Sequence, residues 1–174
     1  MQQIVSKPLP NELSHREQSL SSPSPERLRA WRLYFESSLA LLDALEHDFE
    51  RAAGFPVQWY DVLVHLEETP DGLRMSELAQ KVLFSKSGFT RVVDKMEAAG
   101  LVRRVRPEND RRSIFILQTP EGRAAMQRAR PPHHQWVEEN FAGLLTDTDV
   151  RAITRAFEKI STRTRTLRPG RVSG

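Results

Sequence analysis

The chain has 174 residues, of which 39% are hydrophobic, and this is enough to bury one sizeable core, so a single domain is the default expectation. The net charge is only +3, so binding to a polyanion would depend on where the basic residues lie and not on overall charge. The lack of cysteine excludes disulfides and thiolate metal sites, and the lack of a long apolar run or a signal-peptide pattern predicts a cytoplasmic chain without a membrane span.

The first 25 residues are interpreted as a flexible arm, because prolines stand among polar residues and apolar periodicity is too weak for independent folding. Simple disorder and an arm anchored on a partner subunit through Ile4, Val5 and Leu9 both remain open. A helix then begins at Glu26 and ends at Gly54. Two apolar faces predict that this helix is covered on more than one side. They consist of Leu28, Trp31, Phe35, Leu39, Leu42, Leu45 and Phe49, and of Leu33, Tyr34 and Leu41.

Two shorter helices are predicted next. Pro56 opens the first of them, and a turn at residues 69–72 ends it. A small strand follows at residues 73–75, and Ser76 is expected to cap the next helix. The inward positions of the first of these helices are Trp59, Val62, Leu63 and Leu66, and those of the second are Leu78, Ala79, Val82 and Leu83.

A fourth helix is predicted from about Lys86 to Ala99, with Ser85 or Ser87 as its N-cap and Gly100 as its left-handed terminator. At 100° per residue, apolar and polar side chains separate onto opposite faces. The apolar face holds Phe89, Val92, Val93 and Met96, and the polar face holds Ser87, Thr90, Arg91 and Asp94. A short-chained polar face with one arginine suits a major groove, although a solvated helix face is the alternative.

Alternating apolar residues after Gly100 predict a hairpin, with residues 101–105 and 114–117 as its strands. Five arginines lie in or near its tip, and only Glu108 and Asp110 oppose them. They are Arg103, Arg104, Arg106, Arg111 and Arg112. The tip should therefore be strongly positive and suited to a narrow minor groove, with an ordinary charged loop as the alternative.

Residues 61–124 resemble the MarR family of winged-helix transcription regulators. The matching segments occur in order and at the expected spacing: MSELAQKV, SKSGFTRVVDKMEAAGLVRR, the wing-tip Asp110-Arg111-Arg112, and LQTPEGRA. Gln118 departs slightly from the family pattern. The resemblance implies a mainly α-helical fold with a small β-hairpin wing, in which a winged helix-turn-helix is joined to N- and C-terminal dimerisation helices.

The resemblance also implies roles for individual side chains on double-stranded DNA. Ser87, Thr90 and Arg91 would lie in the major groove, and Arg112 would enter the minor groove from the wing. Arg111, Lys86 and Lys95 would contact the phosphate backbone, which positions the protein without specifying sequence. Asp110 would brace the wing tip and would not touch DNA.

Two further helices are predicted after the hairpin. Thr119 caps the first, with Pro120 at its first position, and Pro131-Pro132 should kink or interrupt it. A capping box of Thr146 and Asp149 opens the last helix. Its apolar stripe holds Val150, Ile153, Phe157 and Ile160, and a frayed basic tail holds Arg163, Arg165, Arg168 and Arg171. The adjacent His133 and His134 point about 100° apart along a helix, so a polar patch is favoured over a zinc site.

The apolar stripes of the first and last helices would be an aggregation hazard if they were left uncovered, and a homodimer would cover both. Twofold symmetry then predicts a pseudo-palindromic operator with half-sites about 34 Å apart. Residues 26–54 and 120–166 are therefore assigned to a helical dimerisation region, and residues 55–119 to the DNA-binding region.

The resemblance implies a small, often aromatic effector, with no cofactor or metal. Its contacts are expected among Trp31, Phe35, Trp59, Tyr60, Asp61 and His65, although aromatic residues at helical spacing are more often core. Trp31, Asp61, Arg91 and Arg103 or Arg104 are also similar to residues of urate-responsive members.

The predicted function is that of a ligand-responsive DNA-binding repressor at the nucleoid. The alternative is a winged-helix module that binds protein and not DNA. An enzyme is not expected, because no nucleophile elbow, phosphate loop or zinc-protease motif occurs.

Overall fold

The computed structural model describes residues 22–82, 88–107 and 113–166, and it divides the chain into two compact units, residues 1–40 and 41–174. The first unit, as far as it is described, holds the first part of α1. The second unit holds the rest of α1 and all later elements. In chain order the elements are α1 (Pro25–Ala53), α2 (Val57–Glu67), β1 (Leu73–Arg74), α3 (Met75–Lys81), α4 (Phe89–Ala98), β2 (Val102–Val105), β3 (Phe115–Gln118), α5 (Pro120–Asn140), a 3-10 turn (Ala142–Leu144) and α6 (Asp147–Thr166).

The three strands form one antiparallel sheet in the order β1-β3-β2. Ile116 is the centre of this sheet, since it pairs with Leu73 on one side and Arg104 on the other, and its side chain is fully buried. β1 therefore ties the start of α3 to the hairpin. The predicted fold class, mainly α-helical with a small β-hairpin wing, is confirmed.

The core of the second unit lies where α2, α3, α4 and α5 meet the inner face of the sheet. Its largest fully buried side chains come from all of these elements, so the four helices and the hairpin share one core. Each such side chain contributes roughly 1.5–3 kcal/mol by leaving water. They are Val62, Leu63, Leu66, Leu78, Val93, Met96, Val102, Ile116 and Met126.

The junction between α4, the hairpin and α5 depends on Thr119 and Gly122. The Thr119 hydroxyl donates to the Gly100 carbonyl at 2.6 Å and accepts from the Gly122 N–H at 3.0 Å, so it caps α5 and joins it to the end of α4. A Cβ on Gly122 would lie 2.0 Å from the Leu101 carbonyl oxygen. Only glycine permits this close approach of α5 to the hairpin. The threonine cap predicted from sequence is confirmed.

Two predicted helix starts are wrong. Ser76 does not cap α3, which begins at Met75; the predicted strand accordingly ends at Arg74, whose N–H donates to the Glu77 carboxylate at 3.1 Å. α4 begins at Phe89 and not near Lys86, because Gly88 has a φ of +94° and cannot belong to a right-handed helix. Gly88 is the N-cap of α4, and the predicted caps, Ser85 and Ser87, lie outside the described residues.

The two prolines of α5 were predicted to kink or interrupt it, and an interruption is wrong, since the helix continues from Pro120 to Asn140; the kink stays a prediction. Pro131 and Pro132 cannot donate the hydrogen bonds that would reach the carbonyls of Gln127 and Arg128, and their rings crowd the same carbonyls. Both of these residues are exposed, so water can satisfy their carbonyls. The second hairpin strand is shifted by one residue from the prediction: it begins at Phe115 and includes Gln118.

Other predicted helix boundaries are confirmed. α1 ends before Gly54 and α4 before Gly100, and both glycines have positive φ. The capping box of α6 is complete, because the Asp149 carboxylate accepts from the Thr146 N–H at 3.0 Å and the Thr146 hydroxyl accepts from the Asp149 N–H at 3.3 Å. No helix among the described residues is both long and apolar enough to cross a membrane.

Candidate nucleic-acid interface

α4 separates a buried face from an exposed one. Phe89, Val93 and Met96 are at most 6% exposed and fix the helix in the core. Thr90, Arg91, Asp94 and Lys95 are all exposed on the other side. The predicted separation of the two faces is confirmed, and it gives a rigidly supported helix whose outer surface is polar.

The outer surface of α4 is joined to the hairpin through Arg104 of β2. The Arg104 guanidinium contacts Asp94 Oδ1 at 2.6 Å and also pairs with Glu97 Oε2. The second oxygen of the Glu97 carboxylate accepts from the backbone N–H of Arg104 at 2.8 Å. Burial alone lowers the pKa of Arg104, but the hydrogen bonds and charges of Glu97 and Asp94 outweigh it and raise the pKa above its ordinary value.

These contacts correct the prediction that all five arginines of the hairpin make its tip positive. Arg104 is bound by two carboxylates of α4, so its charge is not available to an anion or to a urate-like ligand. For Arg104 the prediction is wrong because it counted only acidic residues within the hairpin, whereas Arg111 and Arg112 lie outside the described residues. Arg103 and Arg106 are exposed, as expected of residues that add positive charge to the surface.

The DNA-binding residues predicted from the resemblance fall into two groups. Thr90, Arg91 and Lys95 lie within the first two turns of α4 on its exposed surface. The others lie outside the described residues. They are Lys86 and Ser87 before α4, and Asp110, Arg111 and Arg112 at the hairpin tip.

Arg74 is a further basic residue at this surface that sequence reasoning did not single out. Its guanidinium lies over the Phe115 ring at 5.7 Å from the ring centre, because the two residues are register partners in β1 and β3. Arg74 and Thr90 both line a groove of about 430 Å³ beside the start of α4. The sequence signal was an arginine immediately before the MSELAQKV segment, but its proximity to Thr90 depends on the sheet.

The residues predicted to contact an effector lie in both compact units. In the first unit, Trp31 is 60% exposed and its ring stacks on Phe35 at 5.7 Å. In the second unit, Asp61 and His65 lie 3.7 Å apart on α2, and Trp59 stacks on Phe55 at 6.2 Å.

Tyr60 has a packing role. It is 6% exposed, and its ring lies 5.3 Å from that of Phe49 and 4.8 Å from that of His133. Burial, together with the neighbouring His134, lowers the pKa of His133. Among the residues that the structure describes, no group of three or more histidine or acidic side chains is arranged to hold a metal ion.

Two consecutive helices, α3 and α4, that share one core with a β-hairpin and a third strand paired to it are the arrangement of a winged-helix protein. The sequence profile of the MarR family matches residues 53–113 of this chain. AbsC, a MarR family transcriptional regulator from Streptomyces coelicolor, is 33% identical with a TM-score of 0.75, and the alignment covers 83% of this chain and 97% of AbsC. The chain belongs to the MarR family.

Other relatives agree with this assignment. Sco3205, a MarR family transcriptional regulator from the same organism solved in complex with DNA, is 30% identical with a TM-score of 0.76 and coverages of 85% of this chain and 95% of Sco3205. The HTH-type transcriptional regulator PapX of Escherichia coli is 33% identical over 101 residues, which are 58% of this chain and 62% of PapX. The chain thus spans less than two thirds of the length of this curated relative.

Proposed function

We propose that this chain is a sequence-specific transcriptional repressor that binds double-stranded DNA. We also propose that a small ligand controls its binding to DNA. The exposed polar face of α4 carries the first proposal. Thr90 and Arg91 stand in its first turn, which is the part of a recognition helix that reaches base edges. Repressors among the relatives include the homoprotocatechuate degradative operon repressor of Escherichia coli, which is 36% identical over 73 residues.

The proposed contacts divide into those that read bases and those that hold phosphates. Arg91 is proposed to reach guanine O6 and N7 in a major groove, and Thr90 and Ser87 are proposed to contact the same groove. Lys86, Lys95 and Arg111 are proposed to contact phosphates, Arg112 to enter the minor groove, and Asp110 to brace the wing tip. We infer no catalytic activity, because the relatives are transcriptional regulators.

Fluorescence anisotropy with an operator duplex and a scrambled duplex tests this division of roles. Arg91→Ala should lose affinity for the operator and discriminate less between the two duplexes, whereas Arg112→Ala should weaken binding to both. Arg155→Ala is the matched control, because Arg155 is an exposed arginine on α6. The rival function, a winged-helix module that binds protein, would leave the wild type without preference for any duplex.

We propose that the regulator acts as a homodimer. Exposed apolar side chains support this, because contiguous apolar surface on a protein marks an interface or an aggregation hazard. In the first unit they are Leu28, Trp31, Leu33, Tyr34, Phe35 and Leu39, and in the second they are Leu42, Phe141, Leu144, Val150, Phe157 and Ile160.

Analytical ultracentrifugation measures the oligomeric state directly. The wild type should sediment as a species of twice 20.0 kDa at micromolar concentration. Phe157→Asp places a charge on the apolar stripe of α6 and should shift the equilibrium to the monomer. Ala152→Asp, which adds the same charge to the opposite side of that helix, should not. A wild type that is monomeric at this concentration would refute the dimer.

A small aromatic effector remains part of the proposal, and within the first unit Trp31 and Phe35 are its candidate contacts. The exposed indole of Trp31 supports it, since a stacked and solvent-accessible aromatic pair suits a planar ligand. Calorimetry with urate and with simple phenolic acids is the test. Heat of binding that Trp31→Ala abolishes, together with weaker DNA binding, is expected; no heat from any compound would refute it.

A further inference from the structure

Asp94 and Glu97 place negative charge where α4 would approach DNA. Asp94 follows Arg91 by three residues and Thr90 by four, so it shares their face of the helix. Its side chain is 57% exposed, and that of Glu97 is 36% exposed. A carboxylate on this face would meet the phosphates of a duplex and repel them.

Arg104 lies against both carboxylates. Its two terminal nitrogens contact one acid each, Nη2 at 2.6 Å from Asp94 Oδ1 and Nη1 on Glu97 Oε2. The backbone N–H of Arg104 donates to the remaining carboxylate oxygen of Glu97, Oε1, at 2.8 Å. The Arg104 side chain is only 24% exposed, so it is fixed between β2 and α4 and does not project toward solvent.

Stability alone is a weak reason for this arrangement. Exposed ion pairs in water contribute little to folding, and one guanidinium shared by two carboxylates still leaves a net negative charge. The electrostatic consequence for a polyanion that approaches α4 is larger, because the phosphates of a duplex form a dense row of negative charges.

We propose that Arg104 is a positioning residue for DNA recognition, which offsets the charges of Asp94 and Glu97 so that Arg91 and Thr90 can approach the duplex. This inference rests on the proposed DNA-binding function. Arg104 itself touches no DNA in this scheme; it acts through the two acids. The raised pKa of Arg104 agrees with the strength of these contacts.

The test compares Arg104→Gln, Arg104→Lys and the double variant Arg104→Gln/Asp94→Asn in anisotropy titrations at 0.1 M and 0.4 M salt. Arg104→Gln should bind DNA about tenfold more weakly at 0.1 M salt and about threefold more weakly at 0.4 M, since a change of one effective charge at the phosphates alters the salt slope by about 0.9. Arg104→Lys keeps the charge and should stay within about threefold of the wild type. The double variant should recover to the same range, because loss of the Asp94 carboxylate returns the net charge of the three side chains to its wild-type value although Glu97 stays uncovered.

Thermal unfolding of each variant checks that the fold is kept, and Arg155→Gln controls for the loss of one positive charge. A purely mechanical brace between β2 and α4 would give a different pattern: a loss independent of salt that Asp94→Asn does not repair. That pattern, or unchanged binding by Arg104→Gln, would overturn the inference while leaving the proposed function intact. A wild type that binds no duplex would overturn both.

Discussion

Replacing Gly122 with alanine tests how α5 is held against the hairpin. The added Cβ would lie 2.0 Å from the Leu101 carbonyl oxygen, whereas real Cβ atoms stay beyond 3.0 Å from such neighbours. The two segments must therefore separate by about 1 Å. The Leu101 carbonyl cannot simply turn away, because it accepts the Thr119 N–H at 3.1 Å.

The expected loss in the free energy of unfolding combines two destabilising effects and one stabilising effect. Overpacking a close contact costs roughly 1–3 kcal/mol. Weakening the Thr119 hydrogen bond adds about 0.5–1.5 kcal/mol. Alanine offsets up to about 1 kcal/mol, since it favours a helix more than glycine does. The net prediction is a loss of about 2 kcal/mol in the free energy of unfolding, or roughly 4–8 °C in Tm for a chain of this size.

Urea unfolding followed by tryptophan fluorescence measures this loss. Arg123→Ala is the matched control, because Arg123 is exposed in the same turn of α5 and its replacement should change the stability by less than about 0.5 kcal/mol. If Gly122→Ala were as stable as the wild type, the approach of α5 to the hairpin would not be limited by the Leu101 carbonyl, and the structural reason given for this glycine would be wrong.

Three further predictions concern other contacts. Burial lowers the pKa of His133 below its ordinary 6.5, so the unfolded chain binds the proton more readily than the folded chain does. The free energy of unfolding should therefore fall as the pH drops through about 6.5 toward the folded-state pKa. His133→Gln should flatten this slope in unfolding curves from pH 8 to 5, and an unchanged slope would contradict the prediction. Thr146→Ala removes the hydroxyl that caps α6 and should cost about 1 kcal/mol in urea unfolding, with Thr164→Ala as a control at an exposed site in the same helix. Trp136→Phe removes the indole N–H that donates to Asp48 Oδ2 at 3.0 Å and should cost about 1 kcal/mol in the same assay. An unchanged stability would contradict this prediction and would show that Arg51 alone satisfies Asp48.

Local signals predicted much of the fold. Thr119 with Pro120, and Thr146 with Asp149, are caps whose partners lie within three residues, so the sequence contains both halves of each contact. Gly54 and Gly100 end helices for a similarly local reason, their positive φ. The two faces of α4 were predictable because helical periodicity assigns them without knowledge of any other element.

Contacts between distant segments were not predictable in this way. The pairing of Arg104 with Asp94 and Glu97 requires β2 to lie against a particular flank of α4, and no spacing in the sequence specifies that flank. Arg74 and Thr90 line the same groove, and no spacing in the sequence indicates that β1 lies beside the start of α4. The predicted start of α4 is wrong because of a local ambiguity. Two serines before Gly88 are both plausible caps, and the sequence does not indicate that Gly88 has a positive φ.

The division of the chain into an arm, a dimerisation region and a DNA-binding region remains a prediction, as do the individual DNA contacts. For the described residues the structure shows Thr90, Arg91 and Lys95 exposed on α4, and it pairs Arg104 with Asp94 and Glu97, contacts that the sequence did not predict.

Selection of binding sites from random duplex DNA, carried out in parallel with the wild type and with Arg91→Ala, tests the central claim most directly. If two copies of α4 read DNA, the wild type should enrich a pseudo-palindrome with half-sites about 34 Å apart, and Arg91→Ala should lose the preference at one position of each half-site. Enrichment of no sequence by the wild type, or of the same palindrome by both proteins, would contradict the assignment of α4 as the reading helix.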